Sequence, residues 1–127
     1  MIHGIGTDIV AVKRLQGMWE RHGERVLEKL LAPQEVAEFA QAAMAAKGRF
    51  LAKRFAAKEA FSKALGTGVR PPATLPAIAV AHDELGKPVF AFDGQLEILL
   101  KNRNLKAHLS ISDEADYAIA YVILESA

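Results

Sequence analysis

The 127-residue chain contains no cysteine. That excludes disulfides, thiolate metal sites and cysteine nucleophiles, and it fits a reducing compartment. No apolar run is long enough to cross a bilayer. The opening MIHGIGTDIV has no basic segment of the secretory kind and carries Asp8. A soluble, cytoplasmic protein with no membrane partner is therefore expected. An excess of charge of one sign is also lacking: the net charge is +1, which gives no ground for nucleic-acid binding. There is no Walker A sequence, no HExxH and no Ser-His-Asp signature, so P-loop, zinc-protease and serine-hydrolase chemistries receive no support.

What is present describes one globular domain over residues 1–127: 51% of residues are hydrophobic and 24% charged. Met1–Val10 reads as a glycine-containing strand. Lys13–Leu31 reads as helix with a break near Gly23, and Pro33 is placed to open another. Arg49–Leu65 is the clearest helix, with five alanines, no internal Gly or Pro, and Gly66 beyond it as a C-cap. Gly66–Pro76 is a loop. Ala77–His82 and Pro88–Phe92 form a predicted hairpin, Gln95–Asn102 a short helix, and Lys106–Ser112 with Tyr117–Leu124 a second hairpin around DEAD. Strand, helices, then mostly strands argue for an α+β fold.

Charge is unevenly distributed. Lys47, Arg49, Lys53, Arg54, Lys58 and Lys63 stand against one acid, Glu59, within residues 47–63. Such a stretch in a near-neutral protein is either a solvated helix face or a site for a specific anion. On the helical wheel Phe50, Ala57, Phe61 and Ala64 form one stripe, and Glu59 lies opposite with Phe55 and Lys63 a turn to either side. A Glu–Lys pair at i, i+4 is by itself only modest helix support. The apolar neighbours of Glu59, however, suggest a helix buried on two sides, which requires a partner for the carboxylate. Asp8, beside Gly4 and Gly6, reads either as a turn residue or as a hard-metal ligand where close approach is allowed. Gly66-Thr67-Gly68 reads as a cap or as a phosphate loop. His108, Ser110 and Ser112 share one face of a strand. Arg14, Met18, Arg21 and Arg25, at i, i+4, i+7 and i+11, read equally as a docking stripe for an acidic partner and as a solvated face balanced by Glu20, Glu24 and Glu28.

GIGTDIV at 4–10, RFLAKRFAAKEAFSKALGTG at 49–68, LGKP at 85–88 and HLSIS at 108–112 occur in one order. Together they resemble the bacterial holo-acyl-carrier-protein synthases, the small 4′-phosphopantetheinyl transferases, over almost the whole chain. The resemblance implies that family's fold, a small antiparallel sheet with a long helix packed on it. It implies transfer of the 4′-phosphopantetheine arm of coenzyme A to a serine of apo acyl carrier protein, in support of fatty acid biosynthesis, with release of adenosine 3′,5′-bisphosphate. Asp8 and Glu59 match the carboxylates that hold Mg²⁺, an ion that prefers a few carboxylates plus water and phosphate oxygens. Lys63 matches a pyrophosphate-binding lysine. Lys47, Arg49, Arg54, Lys58, Gly66, Thr67, Gly68 and His108 are implied coenzyme contacts. The serine proton goes either to a metal-bound water or to a nearby carboxylate. The family also implies a homotrimer with active sites between subunits, which would cover the second side of the long helix. Two other readings remain open: a different Mg²⁺-dependent phosphotransferase or pyrophosphatase, and a non-catalytic module that docks an acidic partner.

Overall fold

Alternating small and β-branched residues in the first and last segments give two ten-residue strands, β1 (Ile2–Ala11) and β5 (Tyr117–Ser126), paired antiparallel. A computed structural model covering Met1–Ala127 adds β4 (Leu105–Asp113) on the other side of β5. The sheet order is thus β1-β5-β4, with the last strand in the middle. The two ends of the chain meet: the Met1 ammonium donates to Ser126 O at 3.0 Å, and Ser126 N donates to Met1 O at 2.8 Å. Between β1 and β4 run α1 (Val12–His22), α2 (Glu24–Leu30), α3 (Pro33–Gln41), α4 (Lys47–Leu65), the hairpin β2–β3 (Ile78–His82, Pro88–Phe92) and α5 (Gly94–Asn102). No helix is long and apolar enough to cross a membrane.

The long helix α4 is the centre of the core. Leu51, Ala52, Ala56, Ala57, Ala60, Phe61, Ala64 and Leu65 on it are all buried. Its small residues let β1 and β5 lie on one side and α1 on the other, while Phe61 meets Phe90 and Phe92 of β3 at centroid distances of 5.4 and 4.9 Å. The α+β expectation and the helix-on-sheet arrangement are both found. One detail differs. The second side of α4 is covered by helices of its own chain, so its burial does not require another subunit. Alanine on every side makes room for neighbours all round within one chain, so two-sided burial was not evidence of an interface.

The strand–helix contact depends on two glycines. Alternation puts Gly4, Gly6 and Asp8 on the face of β1 toward α4. A Cβ at Gly4 would stand 1.9 Å from Ala64 O, and one at Gly6 1.9 Å from Ala60 O. Hydrogen therefore replaces a side chain at both positions so that the strand can rest on the helix backbone. The glycines admit another part of the chain rather than a ligand.

The opposite face of the sheet is apolar and uncovered. Ile5, Ile9, Tyr117, Ile119 and Tyr121 all stand exposed there, with Thr7, Ser110 and Ser112 among them.

Candidate active site

Asp8 follows directly from the glycine-mediated contact. As the next inward residue after Gly6, it reaches the last two turns of α4. Its carboxylate lies 3.2 Å from Lys63 Nζ, and the same ammonium donates to Thr7 O at 2.9 Å. Glu59, half-buried one turn earlier, faces the same spot. Its pKa is raised above the ordinary carboxylate value, first by burial and then by the charge of Asp8, with Lys63 and Arg14 pulling the other way. Two carboxylates whose charges oppose each other, with a single exposed lysine beside them, form a locally under-neutralised anionic site. Nowhere do three or more His, Cys, Asp or Glu side chains gather as a metal cage. The donor set is thus two hard oxygen groups, which suits Mg²⁺ completed by water and phosphate oxygens.

The other predicted cations separate into distinct environments. Lys58 is fully buried: its ammonium donates to Leu30 O at 2.7 Å, to Leu75 O at 2.9 Å and to the Glu35 carboxylate. All three of its donors are used, and burial pushes its pKa down to about 8 with Glu35 pulling the other way. Lys47 is buried as well, donating to Phe39 O and lying 4.2 Å from that ring's centroid. Arg54 is held by Glu35, Glu38 and Val80 O. Lys47, Arg54 and Lys58, expected at a coenzyme phosphate, are thus all engaged inside the chain, and of the three only Arg54 also lines an open cleft. A helix with small residues on every side leaves little face for solvent, so its charges must be partnered inside. Arg49 is exposed and lies 3.5 Å from Asp113.

Gly66 adopts φ 89° and its N–H caps Ser62 O, while the Thr67 hydroxyl donates to Gly68 O. Of the groups expected to wrap a phosphate here, those two are already engaged. His108 is not brought to the carboxylates. It sits on the outer face of the sheet, bonded to Glu125 at 3.0 Å, and that bond holds the Glu125 carboxyl below its usual range. Asp8 faces inward, in register through Ala120 with Ile111.

A cleft of about 330 Å³ opens on the same side as Ile111, lined by Phe50, Lys53, Arg54, His82, Gly86, Pro88, Ile111 and Asp113. Ile111 lies two strands from Asp8, roughly 10 Å across the sheet. Sequence reasoning gave Lys53 and His82 no role; the LGKP segment that contributes Gly86 and Pro88 was the available signal.

The basic stripe is interrupted. Gly23, at φ 57°, ends α1 and starts α2, so Arg25 does not continue the periodicity of Arg14, Met18 and Arg21. Instead α2 brings Arg25 and Lys29 to the rim of an apolar pocket of about 330 Å³, walled by Met18, Val26, Leu30, Phe55 and Leu75. Arg14 lies over the Phe55 ring, 5.4 Å from its centroid, at the junction of this pocket with Glu59. Arg21 is exposed and does not line the pocket.

Comparison with known proteins gives a consistent result. A family model described as the 4'-phosphopantetheinyl transferase superfamily matches residues 4–122. A holo-[acyl-carrier-protein] synthase of Dechloromonas aromatica (strain RCB) is 78% identical over 127 residues, covering 100% of each chain. The crystal structure of holo-[acyl-carrier-protein] synthase from Neisseria meningitidis matches with TM-score 0.94 and 43% identity, over 99% of this chain and 100% of that one. A synthase from Bacillus anthracis str. Ames, in complex with CoA (3',5'-ADP), matches with TM-score 0.85 and 35% identity, over 100% of this chain and 99% of that one.

Proposed function

The chain belongs to the 4'-phosphopantetheinyl transferase superfamily, and we propose that the cluster of Asp8, Glu59 and Lys63 is where its transfer reaction takes place. As an enzyme of the holo-acyl-carrier-protein synthase type, it moves the phosphopantetheine arm of coenzyme A to acyl carrier protein. The bond formed is from a carrier serine oxygen to phosphorus. The bond broken is in the pyrophosphate, and adenosine 3′,5′-bisphosphate leaves. The observation that carries the assignment is the convergence of two opposed carboxylates and one exposed lysine from segments 55 residues apart.

Asp8 and Glu59 would hold Mg²⁺, which when bound supplies Lewis-acid polarisation of the pyrophosphate and offsets charge on the leaving group. Lys63 presents its ammonium to a phosphate oxygen beside them. The cleft beside Ile111 receives the nucleotide end of the coenzyme, with Phe50 for stacking and Lys53 for phosphate charge. The pocket between α1 and α2 receives an apolar side chain of the carrier. Arg25 at its rim, Arg14 over the Phe55 ring that lines it, and Arg21 farther along α1 orient an acidic helix. The whole of residues 1–127 acts as a single transferase domain in the cytoplasm, supplying carrier for fatty acid synthesis. The test is the intact mass of apo acyl carrier protein after incubation with the enzyme and coenzyme A, with Mg²⁺ or with EDTA. A gain of one phosphopantetheine arm is expected only with Mg²⁺. Phosphate or pyrophosphate release without that gain would overturn the assignment.

The enzyme is further proposed to act as a homotrimer, joined through the outer face of the sheet. Contiguous apolar area of this kind marks an interface, and His108 on that face can reach a coenzyme only if it serves a neighbouring copy's site. Tyr121→Glu, at the centre of the face, is expected to reduce the solution mass from three chains to one of 13.8 kDa and to lower activity about 100-fold or more. Light scattering alongside the transfer assay decides it. A variant that stayed trimeric removes the outer sheet face as the interface, and a parent already monomeric removes the trimer reading.

A further inference from the structure

Lys58 is the largest fully buried side chain in the molecule, and neither the carboxylate cluster nor the nucleotide cleft uses it. Its ammonium gathers three acceptors from three separate elements. Leu30 O ends α2, Leu75 O opens the short turn at Leu75–Ala77, and the Glu35 carboxylate begins α3. Glu35 extends the network, accepting from Ala32 N, from Arg54 and from Val80 N. The geometric detail of interest is which carbonyls Lys58 holds. Leu30 and Leu75 both line the apolar pocket, one from α2 and the other from the turn that follows α4.

We propose that Lys58 is a positioning residue for carrier-protein recognition. By bonding the backbones of Leu30 and Leu75 to one ammonium, it fixes the separation of the pocket walls between which the carrier's apolar side chain is held. This rests on the docking reading of that pocket given above. An apolar residue at 58 would fill the volume but take the ammonium from the buried Leu30 O and leave Leu75 O with only the Ile78 N–H, so the two backbone segments would no longer be tied to one another. Lys58 precedes Glu59 by one residue, so the two project about 100° apart on α4. One helical turn thus ties the backbone behind the docking pocket and presents a carboxylate to the reacting phosphate, which fixes one relative to the other.

The test is steady-state kinetics of Lys58→Met in the full chain, with apo carrier varied at saturating coenzyme A and then the reverse. The expected result is a rise of about tenfold in KM for the carrier, with kcat and the KM for coenzyme A within about twofold. A purely structural lysine would reduce the folded fraction, which lowers kcat with either substrate varied and leaves both KM values alone. Should Lys58→Met not fold, the double variant Glu35→Gln/Lys58→Met removes the cation together with its carboxylate, so no isolated charge is buried. The same split is expected of it. An unchanged carrier KM in a folded variant, or an equal rise in both KM values, overturns the proposal. Arg25→Glu, measured in parallel, tests the docking reading itself: it should raise the carrier KM alone. If it does and the Lys58 variants do not, only the positioning role fails. If it does not, the docking reading fails and takes the proposal with it.

Discussion

Glu59→Gln is expected to lower the transfer rate by about a thousandfold or more, because a metal-ligating carboxylate contributes several kcal/mol of charge stabilisation and each 1.4 kcal/mol is a factor of ten. The same variant is expected to be at least as stable as its parent in EDTA. Burial and the Asp8 charge both disfavour the ionised form of Glu59, so the native protein carries an electrostatic cost there that glutamine, of the same shape and no charge, removes. The melting temperature without metal should hold or rise. The parent should gain thermal stability when Mg²⁺ is added, and the variant should gain little. Activity and stability moving in opposite directions distinguish a functional carboxylate from a structural one. If Glu59→Gln melts well below the parent, the carboxylate supports the fold and its assignment to metal is wrong.

Gly6→Ala is expected to have the largest effect on stability of any single-methyl addition in the chain. The new Cβ would stand 1.9 Å from Ala60 O and 2.8 Å from Ala64 N, both backbone atoms of α4. No rotamer change relieves such contacts. Either β1 must lift from the helix or α4 must move within a filled core, at a cost of about 4 kcal/mol or more. Lifting β1 also carries Asp8 away from Glu59 and Lys63, so any folded fraction should be inactive. The comparison is Gly94→Ala, where an added Cβ meets nothing within 4 Å and φ is not positive; it should be neutral or stabilise by about 0.5 kcal/mol. Denaturant unfolding of the pair measures both. A Gly6→Ala protein as stable as Gly94→Ala would mean that the strand does not rest on the helix as described.

The sequence was most legible where a local rule applies. The helix break at Gly23, the proline-led start of α3, the Gly66 cap and the alternating hairpins all appear close to where breakers and periodicity put them. The meeting of Asp8 with Glu59 was legible only through the resemblance, because no local pattern states that residue 6 packs on residue 60. The internal partners of Lys47, Arg54 and Lys58 were not legible for a related reason. Alanine on all sides of α4 implies burial all round, and that inference was applied to Glu59 but not to its basic neighbours. The acid that neutralises two of them, Glu35, lies 19 residues before one and 23 before the other, beyond any window in which charge pairing can be read. The interrupted stripe on α1 and α2 shows a further limit, since a helical wheel drawn across Gly23 assumes an axis that bends there.

The sheet order β1-β5-β4 has a consequence in time. The strand that carries Asp8 is synthesised before the other four strands, and the strand it pairs with after them. Until Tyr117–Ser126 emerges, β1 and β4 have no common neighbour. The outer sheet face does not exist, and Asp8 is held against α4 only by whatever helical contacts have already formed. Pairing that closes a loop of more than a hundred residues is late and slow. A nascent fragment that lacks Tyr117–Ser126 thus has its helices and the β2–β3 hairpin but not the three-stranded sheet, and Asp8 is fixed in place only once β5 pairs with β1.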